Sequence, residues 1–135
     1  MSDDKRARDL TLLPCVMLVD DQEPYTDLMS KVLSEYGLEV FIANSAMEAF
    51  GLLASVTPDL LLLDIMMPGV DGIAFLRRLR ADPRLGIVPV LIVTAYRETL
   101  ELGMAAGAQG YLTKPFSAQQ LRDAIGEFVR IGPVN

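Results

Sequence analysis

Residues 59–72, DLLLLDIMMPGVDG, constrain the fold more than any other stretch. Four leucines, Leu60 to Leu63, run straight into Asp64. A continuous apolar run this short, closed by turn residues, predicts a strand buried on both faces, as in a parallel sheet covered by helices. Asp64 then falls at the strand's C-terminal end, the rim at which open α/β sheets bind their ligands. Pro68-Gly69 predicts an immediate turn, and Asp71 is placed to cap the helix that follows. An acid at such a rim is a reacting group or a metal ligand, unless it serves only as a structural cap.

The rest of the chain supplies partners for that strand. Residues 15–19 (CVMLV) are apolar throughout and predict a second central strand. Residues 38–42 alternate, which suits a strand nearer the sheet edge. Further strands are expected over 88–93 and near 109–112. A first helix is expected from Pro24, with Tyr25, Leu28, Met29, Val32 and Tyr36 inward and Gly37 as its stop. Asn44 or Ser45 should cap a second, burying Ala46, Ala49, Phe50 and Leu53. A third covers 72–80, with Ile73, Leu76 and Leu79 inward and Arg77, Arg78 and Arg80 on a solvated face. The fourth, over 97–106, is poor: its apolar stripe is vague, and Gly103 costs about 1 kcal/mol relative to alanine. Ser117 should cap a fifth, carrying Leu121, Ala124, Ile125, Phe128 and Val129 and stopped at Gly132-Pro133. Five strand–helix units in strict alternation predict an α/β fold, a doubly wound parallel sheet with right-handed crossovers. The order 2-1-3-4-5 fits best and sets the first and third strands side by side. Residues 14–131 form the single expected domain, between a flexible tail at 1–13 and a C-terminal tail or linker start at 132–135.

On this topology the polar strand ends form a short list: Asp20 and Asp21, Asp64, Thr94 and Lys114. Three carboxylates in one pocket repel unless a cation neutralises them. The chain of 135 residues has no histidine. That excludes Ser-His-Asp and Cys-His catalysis and histidine-ligated zinc, so a metal here must be held by oxygen. Carboxylate oxygens favour magnesium, manganese or calcium; Mg2+ is the expected cofactor, with Mn2+ as alternative. Lys114 adds a fixed positive charge and Thr94 a hydroxyl donor, completing a set suited to phosphoryl transfer. A net charge of −6 argues against direct contact with nucleic acid. No apolar run approaches a membrane span and no signal-peptide core opens the chain, so a cytoplasmic protein without membrane contact is expected. The lone Cys15 permits no internal disulfide and reads as a core residue.

These residues, in this order, resemble the receiver domain of two-component response regulators, and in length the chemotaxis-type single-domain members. Asp20-Asp21 matches the acidic pair, residues 64–72 the phosphoacceptor signature, and Val93-Thr94-Ala95 the switch-threonine segment. Tyr111 with Lys114-Pro115-Phe116 matches the aromatic switch and the lysine whose following peptide bond is cis in the family. The resemblance implies a flavodoxin-like sheet with five helices. It implies that Asp64 accepts a phosphoryl group from a histidine kinase or histidine phosphotransfer protein. It implies direct magnesium binding by Asp21 and Asp64, with Asp20 helping through water and the backbone carbonyl of Met66 completing the ligands. Lys114 would steady Asp64 and then the phosphoryl oxygens. Thr94 would move toward that group while Tyr111 turns inward, remodelling the surface of the fourth helix, fifth strand and fifth helix. An output partner, or a second copy of the chain forming a homodimer on phosphorylation, would bind there. Two rate-setting positions of the family hold Met66 and Tyr96, neither able to orient an attacking water, which implies slow self-dephosphorylation. Beyond that and self-phosphorylation from phosphodonors, no enzymatic turnover is expected.

Other readings compete. The chain could be a receiver-like binding module that never takes a phosphoryl group, or the receiver part of a longer multidomain regulator. A small magnesium-dependent phosphohydrolase or a flavin-binding domain would share the fold. Such a hydrolase usually has a second acid two residues after the nucleophile, where this chain has Met66. No Ser/Thr-rich loop for a flavin phosphate follows the first strand.

Overall fold

In the computed structural model, residues 13–67 and 70–132 are described. The run of leucines lies in β3 (Leu60–Asp64), flanked by β1 (Cys15–Val19) and β4 (Val90–Thr94). Outside these lie β2 (Glu39–Ala43) and β5 (Gly110–Thr113), giving the parallel order β2-β1-β3-β4-β5. Five α-helices connect and follow the strands among the described residues: α1 (Glu23–Glu35), α2 (Ala46–Leu53), α3 (Gly72–Ala81), α4 (Leu100–Ala105) and α5 (Ala118–Gly126). A two-residue antiparallel ladder, Met66–Met67 with Val70–Asp71, leads from β3 into α3.

Alternation along the strands divides the core in two. Leu61 and Leu63 pack with Met17, Val19, Val90 and Ile92 under α2 and α3. Leu60 and Leu62 pack with Val16, Leu18, Leu91 and Val93 under α1 and α5. Each central strand therefore serves both faces, which is why its sequence shows no polar position before its C-terminal tip. β2 has a neighbour on one side only, and four of its five residues are half-buried, in keeping with its alternating sequence.

Local signals explain most boundaries. Gly37 ends α1 with a φ of 82°, a left-handed conformation open to glycine. Ser45, rather than Asn44, caps α2, accepting a hydrogen bond from the Glu48 amide. Ser117 and Gln120 form a complete capping box on α5. β4 starts at Val90, not Val88: Pro89 has no amide to donate, and the Val88 amide closes a turn onto Leu85. α5 ends at Gly126, well before Gly132, although Phe128 and Val129 still pack against the core from the turn beyond.

Two expected faces differ. On α1 the buried stripe is Thr26, Met29, Leu33 and Tyr36, spaced at helical intervals, while Leu28 is 62 % exposed. On α3, Phe75 joins the buried face, and Arg80 is half-buried rather than solvated. Its Nε donates to Gly107 O (2.9 Å), its two terminal nitrogens to Gly86 O, Val88 O and Gln109 Oε1. The long stem lets the guanidinium curl off the helix onto carbonyls at the far end of the sheet.

The weak fourth helix is real: a 3-10 turn (Arg97–Thr99) precedes only six α-helical residues. Gly103 is buried, and a Cβ there would overlap the Ile92 side chain in β4. The glycine that weakens the helix is thus what lets it approach the sheet. The expected turn at Pro68-Gly69, the tail at residues 1–12 and the stop at Pro133 lie outside the described residues, as does the side chain of Asp71.

Candidate functional site

The strand order sets the tips of β1 and β3 side by side, and the acids follow from that. Val19 pairs with Leu63, so Asp20 emerges next to Asp64. The Asp20 amide donates to Ala43 O (3.1 Å), which holds it at the sheet's end. Asn44 Nδ2 donates to Asp20 O (3.1 Å), so the tip of β2 braces the acid from behind. The Gln22 amide donates to Asp20 Oδ1 (3.0 Å), fixing the carboxylate across the turn into α1. Asp20 and Asp64 are both 5 % exposed, Asp21 half-buried. A carboxylate oxygen from each of the three lies within 4.8 Å of the others.

Lys114 arrives from the end of β5. Its amide donates to Thr94 O (2.8 Å), which ties the start of the following loop to β4. Its Nζ lies 3.4 Å from Asp20 Oδ2 and 3.8 Å from Asp64 Oδ2. The Lys114-Pro115 peptide bond is cis. Against three carboxylates the single ammonium leaves a formal charge of −2, carried by oxygen donors alone. That donor set fits one hard divalent cation such as magnesium.

Thr94 is 1 % exposed, one residue past the Asp64–Val93 pair. Its Oγ1 accepts from the Tyr96 amide (3.0 Å) and lies 3.3 Å from the Thr99 hydroxyl. The Thr99 hydroxyl donates to Tyr96 O (2.7 Å), so the proton in the longer contact belongs to Thr94. Thr94 is thus bound to its own loop, ahead of α4. Tyr111 is on β5, opposite Ile92, and 51 % exposed. Met66 lies in the ladder with Asp71, two residues beyond Asp64.

Of the expected site residues, Asp20, Asp21, Asp64 and Lys114 therefore converge on one pocket. Thr94 stands at the neighbouring strand tip, and Tyr111 points away into solvent. Helical spacing marks Tyr25 only as part of a stripe. The Lys114 ammonium sits over its ring, 4.3 Å from the centroid. Burial, and then the Asp20 and Asp64 carboxylates, push the Tyr25 hydroxyl far above the ordinary tyrosine range, so it stays a neutral phenol. A large aromatic four residues after an acidic pair was the available signal. Beside Lys114 opens an apolar groove of about 510 Å3 between α1 and the start of α5, lined by Leu28, Val32, Pro115, Phe116 and Leu121.

Residues 16–126 match the family model described as the response regulator receiver domain. Among curated relatives, the DNA-binding dual master transcriptional regulator RpaA of Synechocystis is 34 % identical over 120 residues, covering 87 % of this chain and 50 % of that protein. The chain spans about half the length of the curated relatives it matches. The chemotaxis response regulator CheY4 of Vibrio cholerae superposes with a TM-score of 0.81 at 28 % identity, covering 87 % of this chain and 99 % of that one. The receiver domain of Francisella response regulator 1452 gives 0.75 at 31 % identity, covering 85 % and 95 %.

Proposed function

The chain belongs to the response regulator receiver family, and on that premise we propose that it is a phosphoacceptor signalling switch centred on Asp64. The observation that carries this reading is the Lys114 ammonium within 4 Å of both Asp20 and Asp64 at the tips of adjacent strands. The donor is the phosphohistidine of a histidine kinase or histidine phosphotransfer protein, since the chain has no histidine of its own. An Asp64 oxygen attacks phosphorus; the new P–O bond forms as the P–N bond breaks, and its electron pair stays on the departing imidazole. The product is an acyl phosphate. Lys114 exchanges its contact with the Asp64 carboxylate for one with a phosphoryl oxygen.

Asp21 and Asp64 would hold Mg2+ directly and Asp20 through a water, with the Met66 carbonyl as the last protein ligand; Mn2+ is the alternative. Bound there, the cation supplies charge neutralisation on the phosphoryl oxygens. Catalysis is limited to self-phosphorylation from phosphodonors and self-dephosphorylation. Met66 and Tyr96 offer no amide or acid to orient water, so the acyl phosphate should last minutes to hours; loss within seconds would refute that.

For output, Thr94 leaves its loop partners for the phosphoryl group, and Tyr111 turns inward behind it. Support comes from the surface these residues border: Tyr96, Leu102, Met104 and Tyr111 are all between 39 % and 58 % exposed on α4, the turn before it, and β5. That surface, with α5, would receive a protein partner or a second copy of the chain. No helix among the described residues is long and apolar enough to cross a membrane. We assign a cytoplasmic role through protein contacts, without direct nucleic-acid binding.

Incubation with acetyl phosphate and Mg2+ tests the central step. The intact mass of the wild-type chain should rise by one phosphoryl group, and that of Asp64→Asn should not. No gain by the wild type, or an equal gain by both, overturns the reading.

A further inference from the structure

Lys114 has two carboxylates to choose from, and neither holds it closely. Charge-assisted N–H···O bonds run to about 2.7–2.9 Å, whereas the contacts here are 3.4 Å and 3.8 Å. The ammonium rides on a four-carbon stem with several rotatable bonds, so two long contacts leave its position loosely determined. The third contact is the face of Tyr25, with Nζ 4.3 Å from the ring centroid, well inside the range of a cation–π attraction.

Tyr25 is suited to that role. It stands in the first turn of α1, directly after Pro24, and its ring is half-buried. Its hydroxyl is buried and meets no hydrogen-bond partner among the described residues, and the side chain borders a small space shared with Leu18, Asp20, Leu62, Asp64 and Val93. A buried phenol oxygen without a partner is a net cost. The ring is therefore what this position uses. A neutral ring also holds a cation differently from a carboxylate. When a divalent ion or a phosphoryl group occupies the acids, their pull on Lys114 changes; the pull of the ring quadrupole does not.

We propose that Tyr25 is a positioning residue for phosphoryl transfer: its ring face keeps the Lys114 ammonium beside Asp64 whether or not the acidic cluster is occupied. The proposal rests on Asp64 being the phosphoacceptor. It makes the ring, not the hydroxyl, the required group.

Wild type, Tyr25→Phe and Tyr25→Leu separate these contributions. Two readouts are needed. The first is the shift of the Lys114 ε-methylene protons, assigned with Lys114→Arg, in the unphosphorylated protein. A face-on ring should move them upfield in wild type and in Tyr25→Phe, and the displacement should vanish in Tyr25→Leu. The second is the rate of Mg2+-dependent mass gain from acetyl phosphate. Tyr25→Phe should stay within about twofold of wild type, and Tyr25→Leu should be about fivefold slower or more. Mg2+ affinity by calorimetry should be similar in all three. A Leu variant at wild-type rate, a Phe variant as slow as Leu, or proton shifts identical in all three overturns the proposal. If wild type itself gains no phosphoryl mass, the phosphoacceptor reading fails; the proton shifts alone then decide whether the ring seats the ammonium.

Discussion

Arg80 donates hydrogen bonds to Gly86 O, Val88 O, Gly107 O and Gln109 Oε1, joining three separate stretches of chain. Gln109 Oε1 in turn accepts from the Val90 amide at the start of β4 (2.7 Å). The cluster lies at the end of the sheet opposite the acids. Arg80→Met keeps the stem and removes every donor, leaving several carbonyls short of partners. It should lower the unfolding free energy by about 1–3 kcal/mol, measured by urea denaturation, with the phosphorylation rate unchanged. Lysine should not rescue it, since one ammonium cannot span the same fork. An unchanged midpoint would show these bonds to be idle. Arg80 and Tyr25 share a lesson: helical spacing tells which way a Cα faces, not where a long side chain ends.

At the scale of elements, the link from β3 into α3 joins packing to chemistry. A Cβ on Gly72 would stand 2.7 Å from the Cα and carbonyl oxygen of Ile65. Both are backbone atoms, so no rotamer change relieves the contact. Ile65 directly follows Asp64, and Gly72 directly follows the ladder that contains Met66. Gly72→Ala should therefore cost about 1–3 kcal/mol of stability, against the small gain that helix propensity alone predicts. It should also weaken Mg2+ binding, because the segment next to Asp64 must shift. Thermal unfolding and calorimetry check the two effects; a stabilised variant with unchanged Mg2+ affinity would contradict this packing. α4 behaves differently. It is short, follows a 3-10 turn and lies next to the loop that binds Thr94, the qualities of a segment with low local stability.

For the whole molecule, the proposed switch joins a charge event at one rim to a surface on one side. Beryllofluoride with Mg2+ mimics the acyl phosphate without turnover. Its amide shift changes should extend from the pocket through residues 94–113 into α5, and should leave α2 and the Arg80 cluster nearly unmoved. Thr94→Ala should keep the pocket changes and lose those on α4 and β5. Changes confined to the acids in wild type would mean that binding at Asp64 is not transmitted.

How much of this was legible beforehand follows from the range of each interaction. Strand and helix identities, the cap at Ser117 and the stop at Gly37 rest on local rules, and the sheet order on strict alternation of strand and helix, so the linear pattern carried them; it left Asn44 and Ser45 both open as the cap of α2, where the structure has Ser45. The grouping of Asp20, Asp21, Asp64 and Lys114 was also legible, because a parallel sheet has one C-terminal rim and strand ends are visible as apolar runs turning polar. Less was legible where the cause lies between elements. The burial of Arg80, the exposure of Leu28, the close approach at Gly103 and the seat of Lys114 on Tyr25 depend on which side chain meets which across the sheet. The fold and the membership of the acidic cluster could be read from the linear chain, because both follow from apolar periodicity and strand order. How the lysine is held there needed the folded chain, because a flexible cation takes its position from neighbours distant in the sequence.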